Sequence, residues 1–220
     1  KIKIIEDAAE ALGSQFKNKK QAGTLGDYGA LSFNINKIIT SSGGGALFIK
    51  NKKQIKRAKL LIKQSKTNDI LFHHCEAGYN YGMPNIAAAI GFSQLKRLGK
   101  ILNLKKKIYK EYMKNFKFNK NIDLINASKF SNNWLNGIII NNNSNYSKLK
   151  NIIAIIEKSG VQVRPLWYPC DKQTYLRKYE KFNLVNSNKL YKKIICLPSS
   201  FFLNKKDIIK ISKIVLNAIE

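Results

Sequence analysis

Short apolar runs alternate with segments of helical spacing through the first half of this chain, and that alternation restricts the folds open to it. Runs typical of strands lie at residues 2–5, 30–35 and 46–49. Apolar residues recur with helical spacing over 52–64 and again over 85–116. Interleaved strands and helices are typical of an α/β domain, in which helices cover a sheet. We therefore predict part of an α/β domain over residues 1–100, followed by a smaller domain.

The second half has a different order of elements. The patterns predict strands at 134–140, 161–166 and 194–198, with helices at 146–158, 175–182 and 205–219. Asn204 stands directly before the last helical pattern, where an asparagine side chain can cap the first turn. We predict a smaller α+β domain over residues 101–220.

The composition is strongly basic, with 40 Lys and Arg against 13 Asp and Glu and a net charge of +27. Such a charge is compatible with a non-enzymatic protein that binds nucleic acid or an anionic surface. Recognition surfaces favour arginine, however, and arginine is scarce here. Lys, Asn and Ile share A/T-rich codons, so a biased genome produces the same composition without a binding role. A binding role and a compositional bias both stay open as explanations of the charge. We expect the lysine run at 105–107 to lie on a solvated helix face.

Other classes of protein are disfavoured by what the sequence contains. Apolar stretches such as 86–92 fall far short of the roughly 20 residues of a membrane helix. Cys75, Cys170 and Cys196 are widely spaced and form no Cys-x-x-Cys pair, as is typical of a reduced cytoplasmic protein. Adjacent side chains diverge in the His-His-Cys-Glu run at 73–76, and no second ligand cluster follows, so we predict no metal site.

Two charged residues follow predicted strands of the first domain. Asp7 comes after the strand at 2–5, and Lys37 comes after the strand at 30–35. In open α/β sheets, ligands bind beyond the carboxyl ends of the strands. Lys37 lies between an apolar strand and the Gly-rich turn at 43–45, where a partly desolvated amine can act as a nucleophile. These two residues are therefore the first candidates for a functional site.

Several motifs occur in an order that resembles a known family. They are Glu6-Asp7-Ala8-Ala9-Glu10-Ala11-Leu12-Gly13, Gly23-Thr24-Leu25-Gly26-Asp27, Ser32-Phe33-Asn34-Ile35-Asn36-Lys37, Gly78-Tyr79-Asn80-Tyr81, Arg164-Pro165-Leu166-Trp167 and Cys196-Leu197-Pro198-Ser199-Ser200. Together they resemble the DegT/StrS-type sugar aminotransferases, which depend on pyridoxal 5′-phosphate. The resemblance covers essentially the whole chain. It implies the aspartate aminotransferase-like fold of type I, here as a partial large domain with a mixed sheet and a C-terminal α+β small domain.

The resemblance also implies roles for individual residues. Lys37 matches the lysine that binds the cofactor covalently and transfers protons, and Asp7 matches the acid that pairs with the pyridine nitrogen. Ser32 resembles the hydroxyl that binds the cofactor phosphate. Asn80 resembles the asparagine that reaches the phosphate from a neighbouring subunit, which implies a homodimer with shared sites. Glu10 stands where relatives carry a polar residue near the cofactor ring.

The implied reaction converts a nucleotide-linked 4-keto-6-deoxy sugar to the 4-amino sugar for a surface glycan, with glutamate as the expected amino donor. The likeness is strongest to the branch that serves legionaminic acid, perosamine or bacillosamine-type glycans. Arg164 and Trp167 are the candidate substrate residues. A related dehydratase branch replaces the lysine by histidine, so Lys37 argues against that activity.

Three departures from the family pattern bear on substrate binding and on the cofactor site. Gly82 stands where many relatives have arginine, and Asp171 stands where we expect histidine. Relatives also carry a substantial segment before the strand at 2–5, which supplies part of the phosphate site and of the large sheet. We therefore expect this sequence to be part of a longer protein, and the 220 residues alone to be poorly soluble and weak in cofactor binding.

Overall fold

The computed structural model describes residues 2–68, 70–125, 127–142 and 145–220. The chain packs into two compact units. The first comprises Lys1–Leu102 with Ser128–Trp134, and the second comprises Asn103–Ala127 with Leu135–Glu220. Residues 128–134 thus return to the first unit after the chain has entered the second. The boundary near residue 100 that the sequence suggests for the domains stays a prediction.

A three-stranded mixed sheet forms the centre of the first unit. Its strands are β1 (Ile5–Asp7), β2 (Tyr28–Ser32) and β3 (Gly45–Ile49). Strand β2 lies between the other two, parallel to β1 and antiparallel to β3. The first strand is displaced from the predicted 2–5, because pairing with β2 begins only at Ile5, opposite Tyr28.

The helices of the first unit follow the sheet. Helix α1 (Lys52–Leu61) is capped by Asn51, whose side chain accepts the Lys53 N–H. A short antiparallel ribbon of β4 (Lys66–Asn68) and β5 (His73–His74) comes next, and then α2 (Asn85–Leu95). Before the sheet is completed, residues 8–13 form only tight turns.

The single helix predicted over 85–116 is two helices, α2 and α3 (Leu98–Phe116). They are separated because the Arg97 N–H bonds to the carbonyl oxygen of Gln94, three residues back, at 2.9 Å. That tighter turn ends α2 before α3 begins. The apolar spacing continues through the break, so the sequence pattern carries no sign of it.

The second unit is built on a four-stranded antiparallel sheet in the order β6-β7-β9-β8. Its elements are β6 (Ile122–Leu124), β7 (Asn136–Ile140), α4 (Tyr146–Lys158), β8 (Arg164–Pro165), α5 (Val185–Leu190), β9 (Ile194–Leu197) and α6 (Lys205–Ile219). Side chains of the sheet, α3, α4 and α6 form its core, including Tyr112, Ile138, Leu149, Ile156, Ile195 and Val215.

Two predictions for the second unit are wrong. The helix expected at 175–182 is a short 3-10 turn, Thr174–Leu176, and Phe182 beyond it is exposed, so no apolar face is buried there. The strand expected at 161–166 is only Arg164–Pro165, because β8 is an edge strand that pairs with β9 at two residues.

The lysine run on α3 also differs from expectation. Lys106 and Lys107 are exposed, but Lys105 has only 5% of its surface exposed. It lies one helical turn from Ile101 and from Ile108, on the buried face of α3.

Among the residues that the structure describes, no helix is long and apolar enough to cross a membrane. The same residues include no group of three or more acidic, His or Cys side chains placed to hold a metal ion.

Candidate active site

The carboxyl end of the first sheet collects several predicted site residues. Asp7 ends β1 and is paired with Ala30, two residues before Ser32 at the end of the parallel strand β2. The antiparallel strand β3 begins at Gly45, directly opposite Ser32. Asp7, Ser32 and the glycine turn before β3 therefore lie at one edge of the sheet, where α/β proteins bind ligands.

Lys37 lies in the connection from β2 to β3, which folds back on itself. The Phe33 N–H donates to the Gly44 carbonyl, and the Ser41 N–H donates to the Phe33 carbonyl, each at 3.0 Å. Ile38 and Ile39 directly after Lys37 are buried. The backbone on the C-terminal side of Lys37 is thus anchored by apolar burial, while its own N–H bonds to the Asn34 carbonyl at 3.1 Å.

The Lys37 amine contacts a carboxylate and the face of an aromatic ring. Its Nζ is 3.1 Å from Oε1 of Glu10 and 4.6 Å from the centre of the Trp134 ring. The Lys37 side chain is only 13% exposed, whereas that of Glu10 is 48% exposed. The structure therefore brings two of the predicted site residues, Lys37 and Glu10, into direct contact.

Asp7 and Ser32 are fixed by local hydrogen bonds. The Asp7 carboxylate accepts the Ala9 N–H at 3.1 Å, which orients it at the end of β1. The Ser32 Oγ accepts the Asn34 N–H at 3.3 Å at the start of the connection. An acid and a hydroxyl thus flank the connection that carries Lys37.

Asn80 lines an open cavity of about 560 Å³ in the first unit. The other walls are the turn at 41–45 and the segment 81–84, with Ala87. Asn80 is exposed, and its backbone forms a bridge with Lys63. The cavity therefore joins the predicted phosphate residue to the glycine turn at the edge of the sheet.

Arg164 and Trp167 belong to the second unit. Arg164 forms an ion pair with Glu157 at 2.9 Å and also donates to the Val163 carbonyl. Trp167 is largely exposed. The contacts that bring predicted site residues together are those of the first unit.

The sequence interpretation missed Glu6. Its carboxylate accepts the N–H groups of Gly23, Leu25 and Gly26 at 2.5–2.8 Å and so holds the Gly-rich loop in place. The hydrogen bond from the Gly26 N–H is the main cause of a lowered Glu6 pKa; partial burial acts in the opposite direction, and the Gly23 and Leu25 bonds lower it further. An acid next to a strand end, followed by a Gly-rich loop, was the available signal.

Trp134 was also missed as a site residue, since it was expected only as the start of a strand. It is 9% exposed, and its ring faces the Lys37 amine. The two residues are far apart in sequence, so no local pattern links them. Only the return of residues 128–134 to the first unit places Trp134 beside the site.

Known proteins resemble this chain in sequence. The model of the DegT/DnrJ/EryC1/StrS aminotransferase family matches residues 1–216. A putative pyridoxal phosphate-dependent aminotransferase, EpsN of Bacillus subtilis (strain 168), is 32% identical over 98% of this chain and 56% of its own length. The GDP-perosamine synthase of Escherichia coli O157:H7 is 32% identical over 81% of this chain and 48% of its own length.

A similar fold occurs among solved structures. Helicobacter pylori PseC, an aminotransferase involved in the biosynthesis of pseudoaminic acid, superposes with a TM-score of 0.90 at 23% identity. The match covers 99% of this chain and 60% of that protein. This likeness confirms the predicted aminotransferase fold. The chain spans about half the length of the relatives it matches. By its sequence from residue 1 to residue 216, the chain belongs to the DegT/DnrJ/EryC1/StrS aminotransferase family.

Proposed function

We propose that the protein is a pyridoxal phosphate-dependent aminotransferase that converts a nucleotide-linked 4-keto-6-deoxy sugar to the 4-amino sugar. The observation that carries this proposal is the Lys37 amine, which is mostly buried and lies 3.1 Å from Glu10 in the connection that follows the carboxyl end of β2. Two relatives support the substrate class by their names, a GDP-perosamine synthase and a UDP-4-amino-4,6-dideoxy-N-acetyl-beta-L-altrosamine transaminase of Campylobacter jejuni.

The functional groups at this edge fit pyridoxal phosphate. The cofactor has three features to be bound: an aldehyde carbon, a ring nitrogen and a phosphate. The first unit offers a carboxylate on Asp7 and a hydroxyl on Ser32, each at the end of a strand, and an amine on Lys37 in the connection after β2. This set of donors and acceptors matches those three features.

Each side chain has a defined task in the proposed reaction. Bound pyridoxal phosphate supplies an electron sink for the carbon that loses a proton. Lys37 would hold the cofactor covalently, and its amine would serve as the base that accepts and returns a proton. Asp7 would keep the ring nitrogen protonated, and Ser32 would donate a hydrogen bond to the phosphate. Glu10 is the counter-ion of the Lys37 amine.

Other parts of the proposal concern the partners. Asn80, exposed on the wall of the cavity, would bind the phosphate from a second copy of the chain in a homodimer. Arg164 and Trp167 would contact the nucleotide sugar, and glutamate would supply the amino group. We place the reaction in the cytoplasm, where nucleotide sugars are made.

The test is amino transfer by the complete gene product that contains these residues. With glutamate, pyridoxal phosphate and a nucleotide-linked 4-keto-6-deoxy sugar, mass spectrometry should detect the amino sugar. Lys37→Ala should lower the rate at least about 1,000-fold, because it removes the covalent and proton-transfer group. Lys56→Ala, at an exposed position of α1, is the matched control and should keep the wild-type rate. Full activity of the Lys37→Ala variant would refute the proposal.

A further inference from the structure

The geometry points to Asn132 and Trp134 as positioning residues that hold Lys37 against Glu10. The role of these residues in catalysis rests on the proposed function, whereas the contacts they make are independent of it. Both residues lie in the segment 128–134, which returns to the first unit. We call this segment the return segment. Asn132 and Trp134 are 5% and 9% exposed, so the C-terminal end of the return segment is buried.

Trp134 contacts both the backbone and the side chain at the candidate lysine. Its indole N–H donates to the carbonyl oxygen of Asn36 at 2.7 Å, which fixes the residue directly before Lys37. Its ring face lies 4.6 Å from the Lys37 Nζ. An aromatic face attracts a cation at this distance, most strongly where water is excluded. One buried side chain thus restrains Lys37 at its base and at its tip.

Asn132 restrains the other partner of the ion pair. Its side-chain NH₂ group donates to the carbonyl oxygens of Glu10 at 2.8 Å and Leu12 at 3.0 Å. The side-chain oxygen of Asn132 accepts the Trp134 N–H at 2.9 Å. The same amide therefore connects the backbone that carries Glu10 to the residue that carries the indole ring.

Further bonds attach the return segment to the turn after β1. The Asn132 N–H donates to the Ser14 Oγ at 3.0 Å, and the Gln15 N–H donates to the Phe130 carbonyl at 2.9 Å. The backbone on both sides of the Lys37–Glu10 pair is thereby tied to one segment.

An ion pair alone does not explain a fixed Lys37 amine. Glu10 is half exposed, and exposed ion pairs between long side chains restrain them only weakly. Hydrogen bonds made by buried groups are harder to replace, because losing one partner leaves the other unsatisfied. We therefore assign the orientation of the pair to Asn132 and Trp134.

The test measures access to Lys37 in the cofactor-free protein. A brief pulse of acetic anhydride labels lysines, and peptide mass spectrometry quantifies each site. Lys66, half-buried in the same unit, is the internal reference for general loosening.

Trp134→Leu and Asn132→Ala should each raise labelling of Lys37 relative to Lys66 about fivefold or more, because local opening exposes the amine. Trp134→Phe keeps a ring face and should have a smaller effect. Asn18→Ala, at an exposed loop position, should leave the ratio unchanged.

The outcomes separate positioning from a general structural role. If Lys37 and Lys66 gain label equally, or if neither changes, the inference is overturned. In the amino-transfer assay, Trp134→Leu should lower kcat about tenfold or more with little change in the KM for the sugar, as for a displaced catalytic group. Failure of the proposed function would remove only this second readout, since the labelling requires no cofactor.

Discussion

A few charged side chains in this protein are distinguished by burial and by the partners they meet. The sequence identified Lys37 through its position after a strand and through the family motif. It also placed Glu10 near the site, but not in contact with the lysine amine. Trp134, Asn132 and Glu6 were not predicted as site residues, because their partners are distant in sequence or are backbone groups of a loop. A motif identifies a residue type at a position, whereas its environment depends on the packed chain.

The Glu6 carboxylate gives the first prediction at this scale. Glu6→Gln should lower the free energy of unfolding by about 1–2 kcal/mol at pH 7, because charge-assisted bonds to three N–H groups are lost and solvent screens part of the effect. The folded-state pKa of Glu6 is lowered from about 4.5. The stabilisation is therefore full above pH 4.5 and disappears as the pH falls through the folded-state value.

Urea unfolding of the wild type and the variant between pH 3 and 7 measures this difference. Glu180→Gln, at an exposed position, is the charge-matched control and should change the free energy little. A Glu6→Gln effect that is absent at pH 7, or that stays constant down to pH 3, would contradict the assignment of Glu6.

Lys105 gives the second prediction. Burial lowers its pKa from 10.5 to about 8, and its amine donates to the Ser199 carbonyl. Between these two pH values the unfolded chain binds more protons than the folded one, so stability rises with pH. A pKa depression of this size corresponds to a gain of about 3 kcal/mol over that range.

Comparison with Lys105→Met isolates the Lys105 contribution. The free energy of unfolding of the wild type should rise relative to this variant between pH 8 and 10.5, whereas Lys106→Met, one residue along on the exposed face, should follow the wild type. Parallel pH curves for the wild type and Lys105→Met would show that the amine keeps an ordinary pKa.

At the scale of elements, the sequence succeeded where one face of a helix packs on the core. The predicted helices at 146–158 and 205–219 have the observed bounds, and Asn204 caps α6 with Asp207 in a reciprocal pair of bonds. Prediction from the sequence failed where individual backbone hydrogen bonds set the bounds of an element. Strand β8 is short because its pairing with β9 is short, and the break between α2 and α3 comes from one backbone bond. The spacing of apolar residues predicts neither the short β8 nor the break between the two helices.

The glycine turn before β3 gives an element-scale prediction. A Cβ on Gly45 would lie 2.2 Å from the Leu31 carbonyl oxygen, inside the pairing of β2 with β3. Gly45→Ala should therefore lower the free energy of unfolding by about 3 kcal/mol, since backbone must move.

Gly43 is the matched control for this substitution. A Cβ added there meets no atom within 4 Å, so Gly43→Ala should change stability by less than about 1 kcal/mol. Thermal unfolding of the two variants measures the contrast. Equal stability of both would show that β2 and β3 are not paired at Gly45.

At the scale of the whole molecule, the family was recognisable from the order of its motifs, and the match over residues 1–216 confirms it. The return of residues 128–134 to the first unit was not predictable, because no composition change marks that segment. The net charge of +27 carries no weight in the assignment, since the family match rests on motif order and the site on one mostly buried lysine.

The central claim is that Lys37, among the many lysines, is the residue that binds pyridoxal phosphate. The most direct measurement is borohydride reduction of the complete gene product with saturating cofactor, followed by peptide mass spectrometry of every lysine. We predict that the cofactor is attached at Lys37, and that Lys37→Ala abolishes this attachment while Lys56→Ala preserves it. Attachment spread over exposed lysines, with Lys37 unmodified, would contradict the account.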